Sequence, residues 1–402
     1  MIGRRRTALS AMHPEDFKLL IHHHDVAYVA KPGEIWLTAG IGRWVSALSA
    51  HFKEIGLLLH TSARPLPRQD TPVTKENVRL YSLGPPGHYW DRLPRMRRIR
   101  QACRQAGSQA DGLLIRGLTP RQYTVWQHTP VPRKAFLLIR SPRQSRITDL
   151  SLMTILSEVI NKYREHEFSR IAKNDTLLMV NSPVHLPAIE KISGKKAHFV
   201  PTNTIRAAEF APLQVRPISV PLKLLYVGRL HLLKGLRELF QAISILQQQG
   251  YPCVLDLVAA QEEPVYAQLR ALAGQLGITG HINWRGYVPF GPELFDFYQA
   301  ADVFVLPTYT EGFPRVLWEA AASCCPMVTT SVGGIPSLLA HETHALLIPP
   351  KDVQAIVISV KRLLSDSLLR RELVEQAYRH ALEFSVEACA KKLALTLSGE
   401  WS

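Results

Sequence analysis

The stretch LKLLYVGRLHLLKGLRELFQAISILQQQ (222–249) contains a complete strand–loop–helix unit. Its first part, LKLLYVG (222–228), is an apolar run of the length of a buried strand. Its last part, LRELFQAISILQQQ (236–249), has apolar residues at helical spacing. A strand that leads through a loop into a helix is the repeating unit of α/β proteins, so the stretch predicts that fold class.

Strands and helices are expected to alternate both after and before this stretch. After residue 249 we expect strands at 253–259, 281–288, 302–308, 326–330 and 345–350, with helices near 264–276 and 292–301. Before it, strands are expected at 26–30, 55–60, 112–116, 135–140 and 176–180, with helices at 43–53 and 152–173. Both halves therefore predict a doubly wound, Rossmann-like sheet.

The Pro-rich segment 201–221 lacks periodicity and is interpreted as a linker. It separates a first domain, 1–205, from a second domain, 216–384, and a helix at about 385–402 can pack back on the first. Two facing sheets predict a ligand cleft between the carboxyl ends of their strands.

Composition narrows the class of protein. The chain of 402 residues is 46% hydrophobic and 20% charged, which is typical of globular domains and not of disordered chains. No apolar run is long enough for a membrane span, and no apolar stretch follows the basic N-terminus as in a signal peptide. Five scattered cysteines indicate no disulfide framework, so we expect a cytoplasmic protein.

The net charge of +15 is unevenly distributed. Residues 1–216 contain 33 Lys and Arg against 16 Asp and Glu, whereas the remainder contains 15 against 17. The densest basic stretch, 91–104, includes Arg92, Arg95, Arg97, Arg98 and Arg100. It is either a solvated helix face or a surface for an anionic membrane or acidic acceptor. Nucleic-acid binding is not expected, because basic and aromatic residues do not alternate there.

Two segments carry candidate site residues. In VGRLHLLKGL (227–236), Arg229 and Lys234 lie between a strand and a helix, where side-chain charge and helix amides can hold a diphosphate. The alternative is a pair of solvated surface cations. In TEGFPRVLWEAA (310–321), Pro314 is expected to begin a helix, with Glu311 before it and Glu319 two turns in. These carboxylates either bind sugar hydroxyls, or Glu311 stabilises the helix start and Glu319 pairs with Arg315.

Together these segments resemble the retaining nucleotide-sugar glycosyltransferases of family 4, which have the GT-B fold. The resemblance rests on Gly-Arg-Leu with Lys-Gly after it, Leu-Pro-Thr, Glu-Gly-Phe-Pro, and Glu-Ala, and it covers roughly residues 160–390. It implies that Arg229, Lys234 and Glu311 act on the donor. It also implies a donor-binding set: Gly42, Tyr287, Val288, Gly312, Phe313, Arg315, Val316 and Glu319.

The sequence departs from the family pattern at three positions. Cys324 replaces a usual Gly, Ser337 replaces a frequent Glu, and Arg116 ends the strand where many members have a His. Arg116 is either a contact to a phosphate or acidic group of donor or acceptor, or the cap of a strand end. No Asp-x-Asp occurs and no partner ligands accompany His22-His23-His24, so we expect no metal and no cofactor.

The leading hypothesis is a metal-independent, retaining glycosyltransferase that transfers a sugar from a UDP- or GDP-linked donor to a saccharide or lipid-linked acceptor. It would be cytoplasmic or peripheral at the inner face of the membrane. The alternatives are a non-catalytic sugar-nucleotide-binding protein on the same scaffold, and an epimerase or phosphorylase of the same fold.

Overall fold

The structure is a computed structural model that describes residues 13–67, 69–87, 93–139, 152–261 and 263–401. The chain divides into two compact units. One comprises Met1–Thr204 together with Val386–Ser402, and the other comprises Ile205–Ser385. The division at 204/205 falls inside the segment 201–221 that we interpret as a linker.

The first unit contains a mixed sheet with helices on both faces. Its strands are β1 (Lys18–Lys31), β2 (Glu34–Leu37), β3 (Glu54–Ser62), β4 (Thr71–Val73), β5 (Val78–Ser82), β6 (Gly112–Arg116), β7 (Arg133–Leu138), β8 (Leu177–Val180) and β9 (Ala197–Phe199). Its first helices are α1 (Ala39–Leu48), α2 (Met96–Gly107), α3 (Gln122–His128), α4 (Leu152–Ala172) and α5 (Leu186–Ser193).

Seven of these strands run parallel in the order β5-β3-β1-β6-β7-β8-β9. The strand predicted at 26–30 is only the second half of β1, because the buried run from Leu19 to His23 belongs to the same strand. A register shift between His22 and Val26 separates the two halves. The second half pairs antiparallel with β2, and β2 pairs with β4. Neither short strand was predicted.

The second unit has a six-stranded parallel sheet. Its strands are β10 (Leu222–Val227), β11 (Cys253–Val258), β12 (Ile282–Gly286), β13 (Val303–Leu306), β14 (Met327–Thr330) and β15 (Leu346–Ile348). Its helices are α6 (Leu236–Gln248), α7 (Val265–Gln275), α8 (Pro292–Ala300), α9 (Val316–Ala322), α10 (Val353–Ser365) and α11 (Ser367–Leu382). Strands β13 and β14 are buried along their whole length, as expected for strands covered on both faces.

The strand order in this sheet is β12-β11-β10-β13-β14-β15. Counted within the unit this is 3-2-1-4-5-6, the Rossmann order, which confirms the predicted α/β class. The order reverses between β10 and β13. In open α/β sheets the crevice for a ligand lies at such a reversal, outside the carboxyl ends of the strands.

The last helix, α12 (Val386–Trp401), returns to the first unit. Leu393, Leu397 and Trp401 are buried in the core that β1 and α1 form on one face of the first sheet. The Trp401 ring lies 5.5 Å from the Phe17 ring. The chain thus crosses to the second unit once, at 204/205, and back once, at 385/386.

Candidate functional site

The two loops at the reversal of the second sheet bring Lys234 and Glu311 together. Lys234 lies in the loop after β10, and Glu311 lies in the loop after β13. The Lys234 ammonium forms an ion pair with the Glu311 carboxylate, and the side chains are 17% and 16% exposed. The structure therefore joins two residues 77 positions apart in the sequence that were both predicted to act on the donor.

Backbone contacts hold these loops in register. The Tyr309 amide donates a hydrogen bond to the Leu233 carbonyl (2.8 Å), and the Thr308 hydroxyl donates to the same oxygen (3.2 Å). A Cβ at Gly235 would overlap the Pro307 carbonyl, and a Cβ at Gly333 would overlap the Glu311 carbonyl. Both glycines also have positive φ, 67° and 56°. Only glycine allows this approach of backbone to backbone without strain.

Arg229 follows β10 and has an exposed side chain. Its backbone is anchored to the sheet, since the hydroxyl of the fully buried Tyr226 in β10 donates to the Arg229 carbonyl at 2.9 Å. Burial, followed by the negative charge of Glu311, raises the pKa of Tyr226, so the phenol keeps the proton that it donates. Arg229 therefore has an exposed cation and a hydrogen-bonded backbone, at the same end of the sheet as Lys234.

The predicted start of the helix after Glu311 is wrong by two residues. The helix α9 begins at Val316 with Arg315 as its N-cap, whereas Pro314 only accepts a hydrogen bond from the Leu317 amide in the preceding turn. The helix has seven residues, and so short a helix has few aligned peptide dipoles to act on an anion.

The segment before α9 is anchored by aromatic packing. Gly312 and Arg315 are exposed, and Val316 is partly buried. The Phe313 ring lies 4.7 Å from the Trp318 ring, which in turn stacks on Phe384 at 4.5 Å. The predicted donor-binding residues of this loop therefore extend from a fixed hydrophobic cluster.

Glu319 is buried, with 5% of its surface exposed. Its Oε2 accepts a 2.9 Å hydrogen bond from the hydroxyl of Tyr298 in α8. Burial raises the pKa of Glu319, and the positive charge of Arg315 and the Tyr298 hydrogen bond partly oppose that rise. One carboxylate oxygen of Glu319 is thus hydrogen-bonded to a side chain of the same unit.

Tyr287 and Val288 follow the edge strand β12. Tyr287 is 59% exposed, whereas Val288 is buried. The edge strand lies two strands from β10, or about 10 Å along the sheet. The pair is therefore separated from Lys234 by a distance that a nucleotide can span.

Gly42 does not lie in a loop. It is the fourth residue of α1, and a Cβ there would lie 2.6 Å from Cγ2 of Thr71. The helix starts at Ala39 because Asp25 binds both the amide and the hydroxyl of its N-cap, Thr38 (3.2 and 2.8 Å). The structure thus gives Gly42 a packing role against β4, and its predicted contact with a donor stays a prediction.

Arg116 ends β6 next to β1, where the strand order of the first sheet reverses. Its side chain is buried, its Nη1 lies 3.1 Å from Nε2 of His23, and its guanidinium lies 4.7 Å from the centre of the Trp44 ring. His22 and His23 are buried because β1 is covered on both faces from Leu19 to His23, whereas His24 beyond that stretch is exposed. Among the residues that the structure describes, no three His, Cys, Asp or Glu cluster as metal ligands.

The basic stretch lies in helix α2 from Met96 onward. Arg97, Arg98 and Arg100 are exposed, and Ile99 and Cys103 are buried. Arg95 is partly buried, and Arg92 lies outside the described residues.

Across the described parts of the chain, no helix is both long and apolar enough to cross a membrane.

Four supporting residues were missed from the sequence: Tyr226, Tyr298, Gly333 and His23. Tyr298 and His23 contact side chains 21 and 93 positions away, and Gly333 acts through a close approach of two backbones. Tyr226 donates to a backbone carbonyl only three positions away, but its place in an apolar strand gives no sign of that bond. For Gly333 the Gly-Gly pair at 333–334 was a signal, but it does not say which loop the glycines contact.

Known proteins are similar to this chain in sequence and in fold. Residues 215–380 match the model of the family described as Glycosyl transferases group 1. A D-inositol 3-phosphate glycosyltransferase of Corynebacterium urealyticum is 33% identical over 58% of this chain and 59% of its own length. A putative teichuronic acid biosynthesis glycosyltransferase of Bacillus subtilis is 37% identical over 38% of this chain and 36% of its own length. The chain thus spans less than two thirds of these relatives.

Solved structures extend the similarity to the whole fold. Sucrose-phosphate synthase from Thermosynechococcus elongatus has a TM-score of 0.68 at 17% identity, over 96% of this chain and 99% of its own. HepE from Anabaena, solved with UDP and glucose, has a TM-score of 0.67 at 17% identity, over 95% of this chain and 100% of its own. The fold agrees with the predicted GT-B class. Residues 215–380, which match the model of the glycosyl transferases group 1 family, include Lys234, Glu311 and Glu319.

Proposed function

We propose that the protein is a retaining glycosyltransferase that transfers a sugar from a nucleotide diphosphate sugar to a saccharide or lipid-linked acceptor. The observation that carries the proposal is the meeting of Lys234 and Glu311 at the reversal of a sheet with Rossmann order. That place binds nucleotides in this architecture, and the family match covers it.

The ion pair suggests how the site meets its donor. Without a ligand, Glu311 neutralises Lys234, so the partly buried cation keeps a partner. A donor diphosphate would take over the ammonium together with Arg229, and Glu311 would then accept hydrogen bonds from hydroxyls of the sugar. The charge that develops on the departing diphosphate would be stabilised by these two cations without a metal.

The remaining predicted residues would hold the other parts of the donor. Glu319 would reach the ribose through Oε1, because Tyr298 occupies Oε2. Tyr287 and Val288 would contact the base. The residues Gly312, Phe313, Arg315 and Val316 would line the sugar and its phosphate. UDP-glucose is the first donor to test, because HepE, which has the same fold, was solved with it.

The direct test is release of nucleoside diphosphate from a panel of UDP- and GDP-sugars. We expect Lys234→Met and Glu311→Gln to lower turnover by about 10²- to 10³-fold, the usual loss for one electrostatic contact to the transition state. Lys223→Met removes an exposed lysine from the same unit and serves as the control, with unchanged turnover expected. Wild-type turnover and donor affinity in both site variants would refute the proposal.

Two further measurements address the mechanism. The anomeric configuration of the product, followed by NMR from the first turnover, should equal that of the donor. Addition of EDTA should leave the rate unchanged, since we assign the stabilisation of the diphosphate to Arg229 and Lys234. Inversion of configuration, or loss of activity that Mg²⁺ or Mn²⁺ restores, would contradict these two points.

The exposed face of α2 supports a proposal about where the acceptor lies. Arg97, Arg98 and Arg100 present positive charge on one helix, as an anionic membrane surface requires. At about 1 kcal/mol for each arginine, replacing all three by Gln should weaken binding to phosphatidylserine vesicles by roughly 100-fold. Pure phosphatidylcholine vesicles are the control. If the wild-type protein does not sediment with anionic vesicles at moderate salt, the surface is only a solvated helix face.

A further inference from the structure

The second unit has a basic cleft between the segment 213–217 and the first turns of α11, which we call the α11 cleft. Its volume is about 650 Å³, a size that small-molecule sites commonly have. Its polar lining consists of three arginines and three other side chains: Arg216, Arg370, Arg371, Gln214, Ser367 and Glu375. The α11 cleft is therefore a concave surface on which positive charge exceeds negative charge.

The α11 cleft lies at the opposite end of the second sheet from the predicted donor site. A smaller cavity that shares Arg216 and Arg370 with the cleft is also lined by Asp302 and Pro326. Asp302 directly precedes β13 and Pro326 directly precedes β14, so both lie at the amino ends of strands. The loops of the predicted donor site follow the carboxyl ends of β10 and β13. A ligand in the α11 cleft would therefore be separate from the donor.

Arg370 is a buried cation that lacks a counter-ion within the protein. Its side chain is 8% exposed, and its Nη1 donates to the Leu363 carbonyl at 2.6 Å. Its buried Nε has no hydrogen-bond partner among the residues that the structure describes. A buried charge is costly unless an opposite charge accompanies it. Arg370 therefore favours the binding of an anion from solution.

The two carboxylates near Arg370 are engaged with other groups. Glu375, which lines the α11 cleft, forms an ion pair with Arg379 at 3.2 Å. The Asp302 oxygens accept hydrogen bonds from the backbone amides of Ser219 (3.2 Å) and Lys223 (2.8 Å). Neither carboxylate thus supplies the negative charge that Arg370 lacks.

Arg216 is held in place and still has donors to offer. Its Nη2 donates to the carbonyls of Tyr298 (3.3 Å) and Ala301 (3.2 Å) at the end of α8. A guanidinium has five N–H groups, so those of Nε and Nη1 remain for a ligand. The segment is also held near its start, where the Ala211 amide donates to the Ala322 carbonyl at 2.9 Å. One wall of the α11 cleft is therefore anchored on both sides, which lowers the cost of ordering it around a ligand.

We propose that the α11 cleft binds the phosphate group of a small phosphorylated molecule. Arg216 and Arg370 would donate charge-assisted hydrogen bonds to the phosphate oxygens, and Arg371 would add charge at the exposed side. The volume of the cleft leaves room for an organic group attached to the phosphate. This proposal does not depend on the transferase function, because occupancy of the cleft can be measured without turnover.

The first experiment is a calorimetric titration of the full-length Lys234→Met variant with inorganic phosphate and with glucose 6-phosphate. Lys234→Met removes a cation of the predicted donor site, so that binding of phosphate there does not obscure the result. We expect saturable binding of both anions and none of glucose, the uncharged control. Tighter binding of glucose 6-phosphate identifies an organic phosphate as the ligand, and equal binding identifies free phosphate; both support the site. Absence of saturable binding of either anion overturns the proposal.

The second experiment adds Arg370→Gln to that variant and compares it with the addition of Arg100→Gln. Arg100→Gln removes the same charge from an exposed position of the first unit. Loss of a charge-assisted hydrogen bond should weaken phosphate binding by about 10- to 100-fold with Arg370→Gln and leave it unchanged with Arg100→Gln. Unchanged affinity with Arg370→Gln would place the anion elsewhere, and equal weakening in both would show an effect of net charge alone. Either result overturns the site.

A third variant decides if Arg370→Gln does not fold. Arg371 is exposed, so Arg371→Glu reverses a charge of the α11 cleft without opening the core. It should weaken phosphate binding by about 3- to 5-fold, as expected for an exposed charge, whereas Arg100→Glu should not. The same affinity in these two variants would overturn the proposal.

Discussion

Gly333 sets the position of Glu311 without touching its side chain. The glycine follows β14, and the place of its missing Cβ is taken by the Glu311 carbonyl. Its neighbour Gly334 donates its amide to the same carbonyl at 3.4 Å. The loop after β14 thus holds the Glu311 carbonyl, and the loop after β10 holds Thr308 and Tyr309 just before it. Together these contacts position the Glu311 carboxylate for its ion pair with Lys234.

We expect Gly333→Ala to weaken donor binding as well as folding. The methyl group must displace the Glu311 backbone, so the affinity for the effective nucleotide sugar should fall by at least about tenfold. Gly250→Ala is the matched control, because Gly250 also has positive φ, 78°, but nothing lies within 4 Å of its Cβ position. It should cost about 1 kcal/mol of stability and leave affinity unchanged. Calorimetric titration measures both variants, and equal affinities would contradict the role of Gly333.

The two substituted positions after α9 have local explanations. Cys324 has φ of 56°, a left-handed conformation that favours glycine, which accounts for the glycine that the family usually has there. The Ser337 hydroxyl donates to the Gly334 carbonyl at 2.9 Å and so supports the turn that follows the glycine pair. Neither residue lies in the loops that carry Lys234 and Glu311.

Among the elements, α4 carries a buried carboxyl group. Glu167 is 3% exposed, and burial raises its pKa from 4.5 to about 7, a rise that the charge of Arg121 opposes. Between these two values the folded state holds a proton that the unfolded state has released. The free energy of unfolding therefore decreases as the pH rises through this window.

Glu167→Gln should remove this pH dependence. Below pH 4.5 the two proteins should differ little in thermal stability, since the carboxyl is neutral in both folded and unfolded wild type. From pH 4.5 to about 7 the variant should become progressively more stable than wild type, with a constant difference above that. Thermal melts across the range measure the effect, with Glu165→Gln, a less buried position on the same helix, as the control. A difference that does not change with pH would contradict the buried carboxyl.

Strands and helices were predicted correctly where many consecutive residues share one hydrophobic pattern. The predicted strand 112–116 and the predicted helix 152–173 agree with β6 and α4 to within a residue. Both predictions depend only on neighbouring residues, because an apolar run and helical periodicity can be recognised within one segment of the chain. The short strands β2 and β4 were missed, since three or four residues carry too little pattern. The helix at 43–53 begins instead at Ala39, because its N-cap depends on Asp25, 13 positions away.

At the scale of the whole molecule, α12 makes the first unit depend on the end of the chain. Trp401 packs against Phe17, and its ring lies 2.9 Å from the Cβ position of Gly112 in β6. A chain shortened before Val386 would leave this part of the core open. The second unit closes its own core with residues up to Ser385.

We expect Trp401→Ala to destabilise the first unit by about 3–5 kcal/mol, because it removes a buried ring from a packed core. Hydrogen exchange should show faster opening of β1 amides, whereas amides of β13 in the second unit should keep their protection. Leu395→Ala on the same helix is the control, since Leu395 is 61% exposed and its loss should change stability by less than about 0.5 kcal/mol. Equal loss of protection in β1 and β13 would show that the units do not unfold separately.

The sequence by itself determined the α/β class, most of the parallel strands, and the identities of Arg229, Lys234, Glu311 and Glu319 as candidates. These follow from local hydrophobic periodicity and from motifs whose residues lie close together in the chain. Only the tertiary structure showed which of these residues are in contact, and with which partners. Three contacts join residues 77, 21 and 93 positions apart: the ion pair of Lys234 with Glu311, the hydrogen bond of Tyr298 to Glu319 and the hydrogen bond between Arg116 and His23. Such contacts depend on strand order, and no local pattern encodes it.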